Sequence, residues 1–102
     1  MIQLVVEIVT KSGQRDVVLQ AFKDNVPTVL AEKGCIEYAA YLDADGSGFS
    51  AVDHGQDTIF ILEKWESVAD LKVHAKTPHI VAYQAKVKDL IESRKLSLLS
   101  PC

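Results

Sequence analysis

Residues 2–9, IQLVVEIV, place Ile2, Leu4, Val6 and Ile8 at every second position and are rich in β-branched side chains. That spacing predicts a strand with those four on one face and Glu7 on the other, beside Val5 and Val9. Ser12-Gly13 ends it. From Gln14 to Lys33 the period changes, and Val18, Ala21, Phe22, Val26, Val29 and Leu30 recur at helical spacing. Pro27 removes one backbone donor from this helix and is expected to bend it, and Gly34 suits its C-terminal cap. Residues 35–42, CIEYAAYL, return to alternation, with Ile36, Tyr38, Ala40 and Leu42 on one face and Glu37, Ala39 and Tyr41 on the other. The next fifteen positions, rich in Gly, Asp and Ser, predict a loop with a strand extension around 49–52.

Residues 58–65, TIFILEKW, form the clearest strand, with Ile59, Ile61, Glu63 and Trp65 sharing a face. Ser67 followed three residues on by Asp70 resembles a capping box and starts a short helix over 68–75. Thr77 before Pro78 repeats the start signal, because proline at the first helical position loses no needed donor. The helix that follows carries Ile80, Tyr83, Val87, Leu90 and Ile91 on one stripe, and 95–99, KLSLL, is a last short strand. The order β-α-β-β-α-β, with no repeat or linker, predicts an α+β ferredoxin-like domain over 1–102, with helices on one face of an antiparallel sheet. The other sheet face is apolar enough to call for a second copy packed sheet to sheet.

Composition sharpens this. The 102 residues are 48% hydrophobic and 25% charged, which fits a globular chain with some apolar surface to spare. A net charge of −3 with scattered cations lacks the clustered basic footprint of a nucleic-acid-binding face. No apolar run approaches the roughly 20 residues that span a bilayer, and the first residues lack the pattern of a signal peptide, so a cytoplasmic protein is expected. Cys35 and Cys102 are too few for a disulfide scaffold, and no Cys-x-x-Cys occurs.

The chain's single tryptophan and two of its three histidines fall within residues 63–79, EKWESVADLKVHAKTPH. The strand face carrying Glu63 and Trp65 leads into the helices carrying His74 and His79, so all four side chains can converge between sheet and helices. An imidazole and a partly buried carboxylate exchange protons near neutral pH. Trp65 would offer a flat wall to an aromatic ligand, and Tyr38 or Tyr41 a hydroxyl, with Tyr83 completing the candidate binding set. Each also has a plainer explanation: a tryptophan ending a strand is often core, His79 can be solvated or capping, and His74 can be a satisfied core histidine. Glu63 is harder to dismiss, since a buried carboxylate among isoleucines needs a partner.

Other motifs fail. Asp43-Ala44-Asp45-Gly46-Ser47-Gly48 imitates the opening of a calcium loop, but its twelfth position is His54 where a bidentate Glu is required. No glycine-rich phosphate cradle is present, so neither flavin nor nicotinamide has a fingerprint, and no cofactor is expected. His74 and His79, five apart around a proline, are not expected to ligate a metal.

The stretches VPTVLAEKGCIEY, LEKWESVADLKVH and TPHIVAYQAKV together resemble the antibiotic biosynthesis monooxygenase family, and within it the bacterial quinol monooxygenases. The resemblance runs from the first strand to the last. It implies a homodimer whose sheets form an α+β barrel, with one pocket per protomer, and oxidation of quinols or phenols by molecular oxygen without bound flavin or metal. Glu63, Trp65, His74 and His79 fall on the family's recurrent motif; His74 is expected to be the base, Glu63 to orient it, and Trp65 to stack the ring. Haem-degrading relatives use an Asn-Trp-His set that this chain, with Asn25 on the first helix, does not reproduce. An isomerase of a phosphorylated quorum signal shares a similar histidine-threonine-proline-histidine junction, for which Lys72, Lys76, Arg94 and Lys95 would supply cations. A non-catalytic dimer binding an aromatic metabolite is the remaining alternative.

Overall fold

The computed structural model describes residues 1–44, 48–49 and 52–102. Strand β1 (Ile2–Thr10) is followed by helix α1 (Arg15–Leu30), strands β2 (Cys35–Tyr41) and β3 (Thr58–Trp65), helices α2 (Val68–His74) and α3 (Pro78–Val87), a 3₁₀ turn (Lys88–Leu90) and strand β4 (Ile91–Leu99). The sheet order is β2-β3-β1-β4, and every neighbouring pair is antiparallel. This is the split βαβ arrangement that the alternation of periods predicts.

Alternation decides which side the helices cover. Leu4, Val6 and Ile8 of β1 and Ile59 and Ile61 of β3 are buried in one cluster with Val18, Phe22 and Val29 of α1 and Ile80 and Val87 of α3. Glu63 and Trp65 continue the same face: the register sets Ile8 opposite Ile59, Val6 opposite Ile61, Leu4 opposite Glu63 and Ile2 opposite Trp65. The final third of β3 therefore brings a carboxylate and an indole to the helix side of the sheet, both at most 6% exposed. Among the described residues, no helix is long and apolar enough to cross a membrane.

Four local expectations differ from the structure. In β2, Cys35 lies opposite Trp65 and Glu37 opposite Lys64, so Ile36 is an extra residue in a bulge. It is 49% exposed rather than sharing the buried face of Tyr38. Helix α1 runs through Pro27 and ends at Leu30, capped by Ala31 in right-handed geometry, so Gly34 is not its cap. The apolar stripe after Pro78 spans three elements, because Leu90 belongs to the 3₁₀ turn and Ile91 opens β4. Strand β4 accordingly starts four residues before Lys95. Within the calcium-like stretch, Asp45, Gly46 and Ser47 lie outside the described residues, as do Ser50 and Ala51 of the expected strand extension.

Gly34 has a different task. Its φ is +82°, and a Cβ there would lie 2.7 Å from Asp70 Cβ and closer still to the Asp70 carboxylate. Its carbonyl accepts from the Glu66 amide at 2.8 Å. The turn between α1 and β2 is thus pressed against the first turn of α2, which only a residue without a side chain permits. Replacing it with alanine (Gly34→Ala) is expected to cost about 2 kcal/mol from backbone strain alone and to lower Tm by on the order of 10 °C. Thermal denaturation checks this; an unchanged Tm would show that the turn does not need this approach.

Candidate functional site

The sequence after Trp65 explains how the site closes. Ser67 caps α2: its Oγ accepts from the Asp70 amide at 3.1 Å, and its hydroxyl donates to Asp70 Oδ2 at 2.9 Å. The helix lasts seven residues and delivers His74 at its last position, where the imidazole sits over Trp65 with ring centroids 4.6 Å apart. Thr77 does not cap α3 with its side chain. Its hydroxyl instead donates to the His74 carbonyl at 2.9 Å, tying off the end of α2 before Pro78 starts α3 with His79 in its first turn.

The polar contacts centre on a residue that sequence reasoning passed over. Glu32, in the turn after α1, lies 3.0 Å from His74 Nδ1 through both carboxylate oxygens and 2.8 Å from His79 Nε2 through Oε2. The Glu32 oxygens can accept from either imidazole nitrogen that carries a hydrogen. Thr77 Oγ1 lies 3.2 Å from the same His79 nitrogen, and Asn25 Nδ2 donates to the His79 carbonyl at 3.2 Å. Glu63 is on the opposite side of His74, with Oε1 3.8 Å from Nε2, and accepts from Trp65 Nε1 at 3.1 Å. The orienting hydrogen bonds expected from Glu63 therefore come from Glu32, and Glu63 faces the nitrogen that those bonds leave free.

Exposure of the side chains is low: 6% for His74, 8% for Glu63, 13% for Glu32 and 25% for His79. Burial pushes the Glu63 carboxyl above the usual range, although the Trp65 hydrogen bond and the nearby His74 and Arg94 oppose this. The Cys35 thiol is pushed up to about 11, first by burial and then by the charges of Glu32 and Glu63. Burial also raises Tyr38 and Tyr83, with Glu63 adding to both and Arg94 opposing at Tyr83. The acids thus set a negative local field in which forming a further anion is costly unless a cation is near.

Two neighbouring spaces share Glu63 and His74, and a third, of about 310 Å³, borders Tyr83 and Arg94. A void of about 40 Å³ lies between sheet and helices, lined by Tyr38, Glu63, His74, Tyr83, Gln84 and Arg94 with apolar neighbours. A cleft of about 200 Å³ opens beside β4; it shares Glu63, His74, Gln84 and Arg94 and is otherwise walled by side chains such as Leu4, Leu71, Leu96 and Leu98. A larger depression of about 560 Å³, at the opposite end of the sheet near Arg15, Asp43 and Asp57, borders none of the candidate residues.

Glu63, Trp65, His74, Tyr38 and Tyr83 are brought together as expected, and His79 joins them through Glu32. Tyr38 stacks on Phe22 at 4.6 Å and turns an edge to His74 at 5.5 Å. Trp65 lines neither cavity; its ring is 0% exposed and covered by His74, so a substrate does not stack on it in this arrangement. Tyr41 pairs with Phe60 on the other sheet face and is 46% exposed, away from the site. Arg94 borders both spaces, whereas Lys72, Lys76 and Lys95 line neither.

Comparison with known proteins follows the same lines. The family model described as "Antibiotic biosynthesis monooxygenase" matches residues 1–86. A protein of Escherichia coli K12 named "Probable quinol monooxygenase YgiN" is 40% identical over 103 residues, covering 99% of this chain and 98% of its own length, and its Shigella flexneri namesake gives the same values. In fold, the Pseudomonas aeruginosa protein PA3566 matches with a TM-score of 0.83 at 21% identity, covering 99% of this chain and 93% of that one. The Mycobacterium tuberculosis protein Rv0793 matches with a TM-score of 0.81 at 22% identity, covering 99% and 94%. With the family model spanning most of its length and a relative at this identity end to end, the chain belongs to the antibiotic biosynthesis monooxygenase family.

Proposed function

We propose that the protein oxidises a quinol or polycyclic phenol with molecular oxygen, His74 Nε2 removing a phenolic proton and the resulting phenolate supplying the electrons. The observation that carries this reading is a buried imidazole held between two carboxylates on the wall of a cleft. The name of the E. coli relative points to the same substrate class.

Each group has a physical task. With Nδ1 donating to Glu32, the lone pair of Nε2 faces Glu63 and the cleft. Once Nε2 takes the proton, the imidazolium lies between two carboxyl groups in a region of low water content, where opposite charges interact strongly. Arg94, on the cleft side, offsets the charge of the phenolate. A deprotonated hydroquinone gives an electron to oxygen far more readily than the neutral form; radical recombination then makes a carbon–oxygen bond. Loss of water leaves a hydroxyquinone, so one atom of dioxygen enters the ring and the other leaves as water with the two displaced hydrogens. The void of about 40 Å³ is large enough for a diatomic molecule beside Glu63 and His74. The cleft, at about 200 Å³, is smaller than the roughly 300–1,000 Å³ of sites for drug-sized ligands, which suits substrates of one or two rings.

A homodimer is part of this reading. Val5, Val9, Ala39, Phe60 and Leu62 alternate onto the sheet face away from the helices, and a second copy laid against that face would bury them.

Oxygen uptake with menadiol, above its spontaneous oxidation, is the test. His74→Ala is expected to lower kcat/KM by roughly 10²- to 10⁴-fold, the range of a positioned general base. Equal uptake with protein and buffer would refute the activity, and ligand binding without product would leave a binding protein.

The raised Glu63 carboxyl gives an independent test. A carboxyl whose folded pKa lies above its unfolded value holds its proton more tightly in the native state. Its contribution to stability is present below about pH 4, the unfolded value, and is lost as pH rises through the folded value. Glu63→Gln keeps an acceptor for Trp65 and has no proton to lose, so its stability relative to the parent should grow with pH across that window. Denaturant midpoints measured from pH 4 upward check this; a difference that stays flat or shrinks would contradict a raised Glu63 carboxyl.

A further inference from the structure

The two histidines are joined by one carboxylate, and the joint is more specific than packing requires. His74 Nδ1 is equidistant, at 3.0 Å, from both oxygens of Glu32, while His79 Nε2 lies 2.8 Å from Oε2 alone. The imidazoles come from two helices, at the end of α2 and the start of α3, and Glu32 from the turn held against α2 by Gly34. The free nitrogen of His74 faces Glu63 at 3.8 Å, and both residues line the cleft.

We propose that Glu32 is a positioning residue that fixes His74 in the Nδ1–H tautomer, so that Nε2 is the nitrogen presented to substrate, and that His79 holds Glu32 in place from its other side. Geometry requires the first half: a carboxylate within hydrogen-bond reach of Nδ1 stabilises the neutral imidazole whose proton is on that atom, leaving Nε2 bare. The second half follows from chain connectivity. Glu32 is in a turn, and without a second donor its side chain would have rotamers that leave Nδ1 unpaired. His79, itself held by Thr77 and by Asn25 through its carbonyl, removes that freedom. Neither residue need touch the substrate.

The kinetic part of this inference rests on the phenol oxidation proposed above; the spectroscopic part does not, so their failures can be told apart. Nitrogen-15 correlation spectra of the imidazoles, recorded at alkaline pH where free imidazole is neutral, report the tautomer directly. The expected result is a protonated Nδ1 and bare Nε2 at His74 in the parent protein, with the assignment lost or mixed in Glu32→Ala. Glu32→Gln, nearly isosteric, guards against misfolding of the alanine variant: its amide oxygen can take the place of Oε2 between the two histidines, but its amide nitrogen then puts an N–H donor where Oε1 faces His74 Nδ1, which favours the tautomer with the proton on Nε2. A parent His74 protonated on Nε2, or a tautomer unmoved in both variants, overturns the proposal whether or not the protein turns over.

Where oxygen uptake is measurable, both variants are expected to lose roughly tenfold to a hundredfold in kcat with KM within about threefold, part of the 10²- to 10⁴-fold supplied by a positioned base. Formate, which fits the space left by Glu32→Ala, is expected to restore part of kcat in that variant and to leave the parent unaffected. Folded variants with parental kcat would overturn the positioning role.

Discussion

A carboxylate withdrawn from water must find donors or keep its proton, and this requirement shapes the seam between sheet and helices. Two carboxylates meet the requirement differently around a single imidazole. Glu32 lies within hydrogen-bond reach of His74 and His79, whereas Glu63, among the described residues, accepts from Trp65 Nε1 on an otherwise apolar strand face. Their environments differ, and the difference gives His74 a held side and an open side. The surrounding backbone serves the same arrangement. Ser67 starts α2 at once, the helix stops after seven residues at His74, and Thr77 and Pro78 start the next helix with His79 within reach of the same acid.

Much of this was legible locally because its signals are local. Period-two alternation placed Ile59, Ile61, Glu63 and Trp65 on one face, and the Ser67 and Thr77-Pro78 signals placed both helix starts. Where the reading failed, a partner distant in the chain decided the outcome. Ile36 looks like the strand neighbour of Tyr38 until pairing with β3 turns it into a bulge. Arg94 is one of the scattered cations in the sequence, and only the extension of β4 back to Ile91 sets it opposite Ile8, exposed but beside the cleft. Glu32 is 42 residues from His74 and 47 from His79, and nothing in its own neighbourhood marks it beyond an acid two positions before a glycine. Gly34 has the left-handed backbone that its residue type suggests, but its constraint is the approach of Asp70 and not the end of the helix.

Trp65 shows how a residue can belong to a motif and still line neither cavity. Its ring fills the end of the core, and its one polar atom satisfies Glu63. The indole therefore supports the acid, which borders the cleft, in place of the substrate stacking that its type suggested.

The central claim is that His74, flanked by its two acids, draws the proton from a bound phenol. Anaerobic absorbance titration with a naphthol too weakly reducing to react with oxygen tests this without turnover. At neutral pH the bound ligand should show the red-shifted band of the naphtholate in the parent protein and the neutral spectrum in His74→Ala. A neutral bound spectrum in the parent, or a naphtholate band that survives loss of His74, would contradict the account.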